Sequence, residues 1–177
     1  TATRPGVNLL PDRADDLLPA LRRLLEPVRR PGDVVVASIH WGGNWGFDVP
    51  AAQSALADRL TKEGRVDVVM GHSSHHPKEV MVMNGKLVLF GCGDLINDYE
   101  GIGGHQTFLP DVAVGYVIDL SVSDGALWQV DALVYERRAF RLQRAGPELR
   151  DRVLPILAKD FPGKVSAAGA NRLRFLP

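Results

Sequence analysis

The residues with the most chemistry to offer lie in one short stretch, Gly71-His72-Ser73-Ser74-His75-His76-Pro77. An apolar run, Val66-Asp67-Val68-Val69-Met70, precedes it and reads as a buried strand that ends at Gly71. A chain that leaves a core strand into glycine, serine and three histidines is entering a polar site. Neutral imidazole is the commonest protein ligand for borderline metals, and it titrates near neutral pH. His40 stands in the same way after Val34-Val35-Val36-Ala37-Ser38-Ile39. These positions predict that His40, His72 and His75 converge on one metal-binding edge of a sheet. His72 and His75 are three apart in a loop, so both reach one site without helical geometry. His76 then points away, orients a ligand or meets substrate.

With one cysteine, Cys92, the chain can form neither an internal disulfide nor a cysteine-rich zinc site. Histidines supplemented by carboxylates or an amide suit a hydrolytic centre, where a metal polarises a phosphoryl or carbonyl oxygen and activates water. Asn44, in His40-Trp41-Gly42-Gly43-Asn44-Trp45-Gly46, is a candidate for contact with substrate or with that water. Its ordinary role would be to tolerate a left-handed turn. Asp94, Asn97 and Asp98 are candidates for hydrogen bonds that orient the ligands, and turn formation is their alternative. Trp41 and Trp45 either wall a pocket or pack beneath the loop. Cys92, between two glycines, reads as a small buried residue rather than a nucleophile. His105 reads as solvent-exposed in a Gly-rich loop, and Arg137, Arg138, Arg141 and Arg144 as a solvated strand face.

The elements that position these groups follow from periodicity. Val34 to Ile39 is a near-continuous β-branched run, the pattern of a strand buried on both faces. Pro50 opens a helix with Ala52, Ala55, Leu56 and Leu60 on one face, stopping at Gly64. With the strand at Val66 to Met70 this makes a βαβ unit, whose crossover implies parallel neighbours. His40 and His72 then lie at carboxyl ends of parallel strands, where open α/β sheets collect their ligands. Upstream, residues 1–11 read as a loop, and from Asp15 an apolar stripe of leucines to Val28 predicts a helix. Pro19 fits that helix only in its first turn. Downstream, strands at Glu79–Met83 and Leu87–Phe90 meet at Asn84-Gly85. A second hairpin joins Ala113–Val122 to Leu127–Tyr135, with a short strand at Phe140–Leu142. A helix at Pro147–Lys159 is expected to break near Pro155, and Leu173–Leu176 to form an edge strand.

Composition narrows the classes. The 177 residues suit one domain, residues 1–177, with a hydrophobic core. Lys plus Arg equals Asp plus Glu at 21 each, so no basic excess argues for nucleic acid. No apolar run approaches the roughly 20 residues that span a bilayer, and Thr1-Ala2-Thr3-Arg4-Pro5-Gly6 does not read as a signal peptide. It reads as the middle of a longer chain.

Three motifs in order carry a family resemblance: Ser38-Ile39-His40-Trp41-Gly42, then Val68 to His75, then Val82 to Asp94. Together they resemble the CapA (poly-gamma-glutamate capsule biosynthesis) family of bacteria, related to the calcineurin-like metallophosphoesterases. The resemblance runs from about Arg4 to about Asn97. It implies an α/β fold, the C-terminal half of a layered αββα sandwich with mixed sheets. It implies His40, His72 and His75 as metal ligands, and divalent ions (Mn, Fe or Zn), two in the complete protein. The upstream aspartate motifs and Gly-Asn-His motif of the superfamily are absent from these residues, so a missing N-terminal half is the implied partner. Gly93-Asp94-Leu95 stands where much of the family has Gly-Asn-Phe. The expected function is metal-dependent hydrolysis of phosphoesterase type on a small-molecule or polymer substrate. The alternative is a non-catalytic component that binds capsule polymer or assists its synthesis.

Overall fold

The computed structural model describes residues 6, 8, 9, 11, 14–97 and 103–177. Most of the expected N-terminal loop, and Asp98, lie outside the described residues. The chain is mixed α/β with two sheets.

Helix α1, Ala14–Leu25, buries Leu17 and Leu18 and leaves Leu24 exposed. Pro19 sits in its second turn, not the first. Strand β1, Val36–His40, is followed by helix α2, Ala51–Lys62, and strand β2, Val68–His72. Strands β3, Val80–Met83, and β4, Lys86–Leu89, complete a four-stranded sheet of order β1-β2-β4-β3. The β1-α2-β2 crossover delivers parallel strands as expected, and β2 is also parallel to β4. Only β3 runs against its neighbour, so the sheet is mixed. Asn84 and Gly85 turn β3 into β4 with φ of 53° and 73°, the double left-handed geometry that a two-residue hairpin demands.

The second sheet is antiparallel. Strands β5, Val112–Leu120, and β6, Leu127–Arg138, form the expected hairpin, and β7, Arg141–Arg144, folds back on β6. Helix α3, Pro147–Leu157, runs through Pro155 and stops two residues later. Strands β8, Lys164–Gly169, and β9, Arg172–Leu176, close the chain. β9 is not an edge: it lies between β6 and β8. β8 carries no strand signal in the sequence, because Lys164-Val165-Ser166-Ala167-Ala168-Gly169 is short of large apolar residues.

Two further expectations fail for reasons of position. β1 is the sheet's edge strand, and only Ile39 of it is buried; Val34 and Val36 are 47% and 54% exposed. A β-branched run marks a strand but cannot tell a central place from an edge. The buried face of α2 is Ala57, Leu60 and Thr61, while Ala52 and Ala55 are exposed. Alanines fit either side of a helix, so they mark its face poorly.

One core cluster joins both sheets, with Val68, Val80, Leu87 and Leu89 against Val130, Val134, Leu173 and Phe175, and α3 adds Val153 and Leu157. The other lies between the first sheet and the α1–α2 pair, through Leu17, Ile39, Leu60, Val69 and Phe90. Buried Asp67 fastens the entry to the parallel strands. It accepts hydrogen bonds from the Val35 amide at 2.9 Å and from Lys86 Nζ at 2.8 Å. At their exit Gly71 packs against the Trp41 indole and the Phe90 carbonyl, where a Cβ would lie 2.7 Å from the carbonyl oxygen. Gly71→Ala is therefore expected to cost about 1–3 kcal/mol by overpacking. Urea unfolding followed by tryptophan fluorescence should show that loss; an unchanged midpoint would mean the indole is not held there.

Candidate metal-binding edge

His40 and His72 are the last residues of β1 and β2, and the parallel register sets them opposite each other. Their ring centroids are 5.3 Å apart, edge to face. The Trp41 amide donates to the His72 carbonyl at 2.9 Å, extending the pairing one residue past the strand end. Ser38 Oγ lies 3.2 Å from His72 Nε2. Burial holds the His72 imidazole below its usual pKa, and the neighbouring His40 adds to the effect. Its neutral form is therefore favoured, which is the form that binds a metal.

The next residues turn sharply. Ser73 has φ of 122°, a strained conformation for a residue with a side chain, and its hydroxyl donates to the Gly42 carbonyl at 3.1 Å. The His75 amide donates to the Asn44 carbonyl at 3.1 Å. These two bonds lace the loop after β2 to the loop after β1. Asn44 thus takes part through its backbone, and its residue is exposed.

His75 is held differently from the other two. Its Nδ1 lies 2.9 Å from Asp94 Oδ2, and the Asn97 amide donates to that same oxygen at 3.2 Å. Asp94 and Asn97 therefore do orient a histidine, by direct hydrogen bonding. The structure brings His40 and His72 together and ties His75 to the Gly93–Asn97 turn beside them. Among the described residues, no three His, Cys, Asp or Glu side chains are gathered as a metal cage. The donor set on this edge is a pair of facing imidazoles, and two neutral nitrogen donors suit a borderline divalent ion.

His76 is fully buried beneath Trp45, Phe47 and Phe108. Its Nδ1 lies 3.0 Å from the Pro77 carbonyl, so that nitrogen is the donor and Nε2 carries the lone pair. It is a packing residue under the loop. His105, expected in solvent, stacks on Trp45 with centroids 3.9 Å apart and planes 6° from parallel. Trp45 is thus sandwiched among histidines and Phe108, a wall of the loop cluster rather than a free surface ring. Trp41 packs beneath, stacked on Phe90 with its Nε1 donating to the Phe90 carbonyl at 3.0 Å. Burial pushes the Cys92 thiol up to about 12, which leaves it inert as a nucleophile near neutral pH.

Arg137 is the residue that sequence reasoning misplaced. It is buried, and its Nη2 donates to the Pro110 carbonyl. Its Nη1 lies 3.5 Å from Asp94 Oδ2, so it stands behind the His75–Asp94 pair. It is buried against the phase of β6, whose core face is Val130, Ala132 and Val134 and would by strict alternation turn Glu136 and Arg138 inward, yet both are exposed. Nothing local in the sequence marks it.

Burial is also the main reason that His76 resists protonation, outweighing its bond to Pro77. Its folded pKa lies below the unfolded value of about 6.5. Below that pH the unfolded chain takes up a proton that the folded chain refuses, so stability falls as pH falls. His76→Phe, which suits the aromatic surroundings, should flatten the stability–pH slope between pH 7 and 5 by up to about 1.4 kcal/mol per unit. Urea unfolding across that range checks it; an unchanged slope would remove His76 as the source.

Comparison with known sequences now adds a family. The sequence model of the bacterial capsule synthesis protein family PGA_cap matches residues 1–99. A Mycobacterium tuberculosis relative, named "Probable polyglutamine synthesis accessory protein", is 41% identical over 143 residues, covering 80% of this chain and 37% of its own. The PGA biosynthesis protein CapA of Bacillus subtilis is 28% identical over 94 residues, 53% of this chain and 23% of its own. The capsule biosynthesis protein CapA of Bacillus anthracis is 22% identical over 147 residues, 79% of this chain and 36% of its own. The chain thus spans between 23% and 37% of the length of these relatives. Its first half, with both strand-end histidines and the Gly71–Pro77 loop, falls within the matched residues. The chain belongs to the bacterial capsule synthesis protein family PGA_cap.

Proposed function

We propose that the protein takes part in bacterial capsule synthesis, with poly-gamma-glutamate as the polymer, as a metal-dependent hydrolase of phosphoesterase type. The names of its relatives, which speak of polyglutamine, PGA and capsule synthesis, support the capsule part of that reading. The observation that carries the proposal is the pair of imidazoles at the ends of β1 and β2, opposite in register and 5.3 Å apart. A layered metallophosphoesterase-like sandwich is the architecture proposed for the complete fold, and the mixed sheet with helices on one side and a second sheet on the other is consistent with it.

His40 and His72 would hold a divalent ion, with His75 as a third candidate once its bond to Asp94 is rearranged. Such an ion supplies charge to polarise a phosphoryl oxygen and to lower the pKa of water. The remaining chemistry belongs to the chain. Asp94 fixes the orientation of the His75 ring through Nδ1. Ser38 steadies the His72 ring at Nε2. Trp45 and its stacked histidines cover one side of the loop cluster and limit access of water to it. A second reading is polymer binding without catalysis, in which the bond between His75 and Asp94 serves only to hold the loop.

Metal analysis of the purified protein, followed by hydrolysis of p-nitrophenyl phosphate and bis(p-nitrophenyl) phosphate with added manganese, separates the two. The hydrolase reading predicts bound metal and a loss of about a hundredfold or more in His72→Ala, since even groups that only orient metal ligands carry 10–100-fold. Metal-free protein with no hydrolysis, retained on immobilised poly-gamma-glutamate, would establish the binding reading instead.

A further inference from the structure

A second concave site lies behind Asp94, between the Leu95–Asn97 turn and the β6–β7 hairpin. It is a cavity of about 180 Å³ lined by Leu95, Asn97, Arg137, Phe140, Arg141 and Leu142, among others. Its inner end is a charge. The Arg137 side chain is only 8% exposed, and neither Nε nor Nη1 has a hydrogen-bond partner among the described residues. Buried donors are normally paired, and this guanidinium is only partly so: Nη2 donates to the Pro110 carbonyl and Nη1 faces Asp94. Asp94 at 3.5 Å balances the guanidinium without bonding to it. Arg141 adds a second guanidinium at the exposed side. Among the described residues, two guanidiniums here stand against one carboxylate, an excess of one positive charge.

The outer part is apolar. Leu95 is 46% exposed, Phe140 68% and Leu142 37%, so three large side chains surround a cavity that ends on a cation. The hairpin that presents Phe140 is strained to do so. Ala139 and Phe140 form its two-residue turn with φ of 51° and 55°, a left-handed pair that ordinarily requires glycine or asparagine. Strain of this kind persists where a position serves a purpose beyond stability.

We propose that this cavity is a binding site for a short-chain organic carboxylate, a monoanion on an aliphatic body. The carboxylate faces the exposed Arg141 guanidinium and is attracted by the charge of Arg137 beneath it. The hydrocarbon lies on Leu95, Phe140 and Leu142. The volume equals about six groups of roughly 30 Å³ each, close to the size of pentanoate. Inorganic phosphate satisfies the charge but offers nothing to the apolar wall. An alcohol of the same length does the reverse. Because Asp94 touches both Arg137 and His75, a ligand here reaches the metal-binding edge through one carboxylate.

Titration of the ¹⁵N-labelled protein with sodium pentanoate, followed by amide chemical shifts, tests the site. Acetate, phosphate and 1-pentanol serve as comparisons. Pentanoate should shift amides of residues 95–97 and 137–142 and bind at least about tenfold tighter than each comparison. Arg141→Gln, at an exposed position, should weaken pentanoate severalfold, and Phe140→Asn, which suits the turn, should remove the preference over acetate. The proposal is overturned if pentanoate binds no tighter than phosphate or pentanol, if the shifts fall elsewhere, or if Arg141→Gln and Phe140→Asn bind as the parent does.

Discussion

Everything at the candidate site depends on the parallel pairing of β1 with β2. Five residue pairs in register, from Val36 with Val68 to His40 with His72, leave no freedom in where the two imidazoles emerge. Strand side chains alternate with a period of two, so a slip of one residue would send one histidine to the opposite face. Asp67 at one end and the Gly71 packing at the other make such a slip costly. The register thus turns a backbone interaction into a chemical one. Two groups 32 residues apart in the chain meet because the ladder between them cannot shift.

The loops beyond the strands are built on the same base. Ser73 and His75 bond back to Gly42 and Asn44, so the strained turn after β2 rests on the loop after β1. Trp41 and Trp45 divide the work, one packing inward on Phe90 and the other among histidines and Phe108. Asp94 connects this cluster to the second sheet through Arg137. A change on the β6–β7 side can therefore be felt at His75 without any movement of the strands.

Much of this was readable in the residues, and the failures share a cause. Local chemistry was legible: Asn84-Gly85 named its hairpin, Pro50 its helix start, and the strand-end histidines their common edge. Placement relative to distant parts was not. Val34 to Ile39 carries no mark of being an edge strand, and Ala52 and Ala55 none of facing solvent. Arg137 looks like its neighbours Arg138, Arg141 and Arg144, yet it is buried beside Asp94, out of phase with the core face of β6. His105 pairs with Trp45 across 60 residues, beyond the reach of any local pattern. His75 was correctly placed in the loop, but its engagement with Asp94 depends on a turn 19 residues later.

The central claim is that the paired strand ends form a cation-binding unit from His40 and His72. Urea unfolding at neutral pH with and without zinc or manganese tests it without any substrate, because an ion that binds only the folded state must raise its stability. The account predicts a midpoint that climbs with metal concentration in the parent protein and stays flat in both His40→Ala and His72→Ala. A midpoint indifferent to metal, or one that rises equally in the two variants, would contradict it.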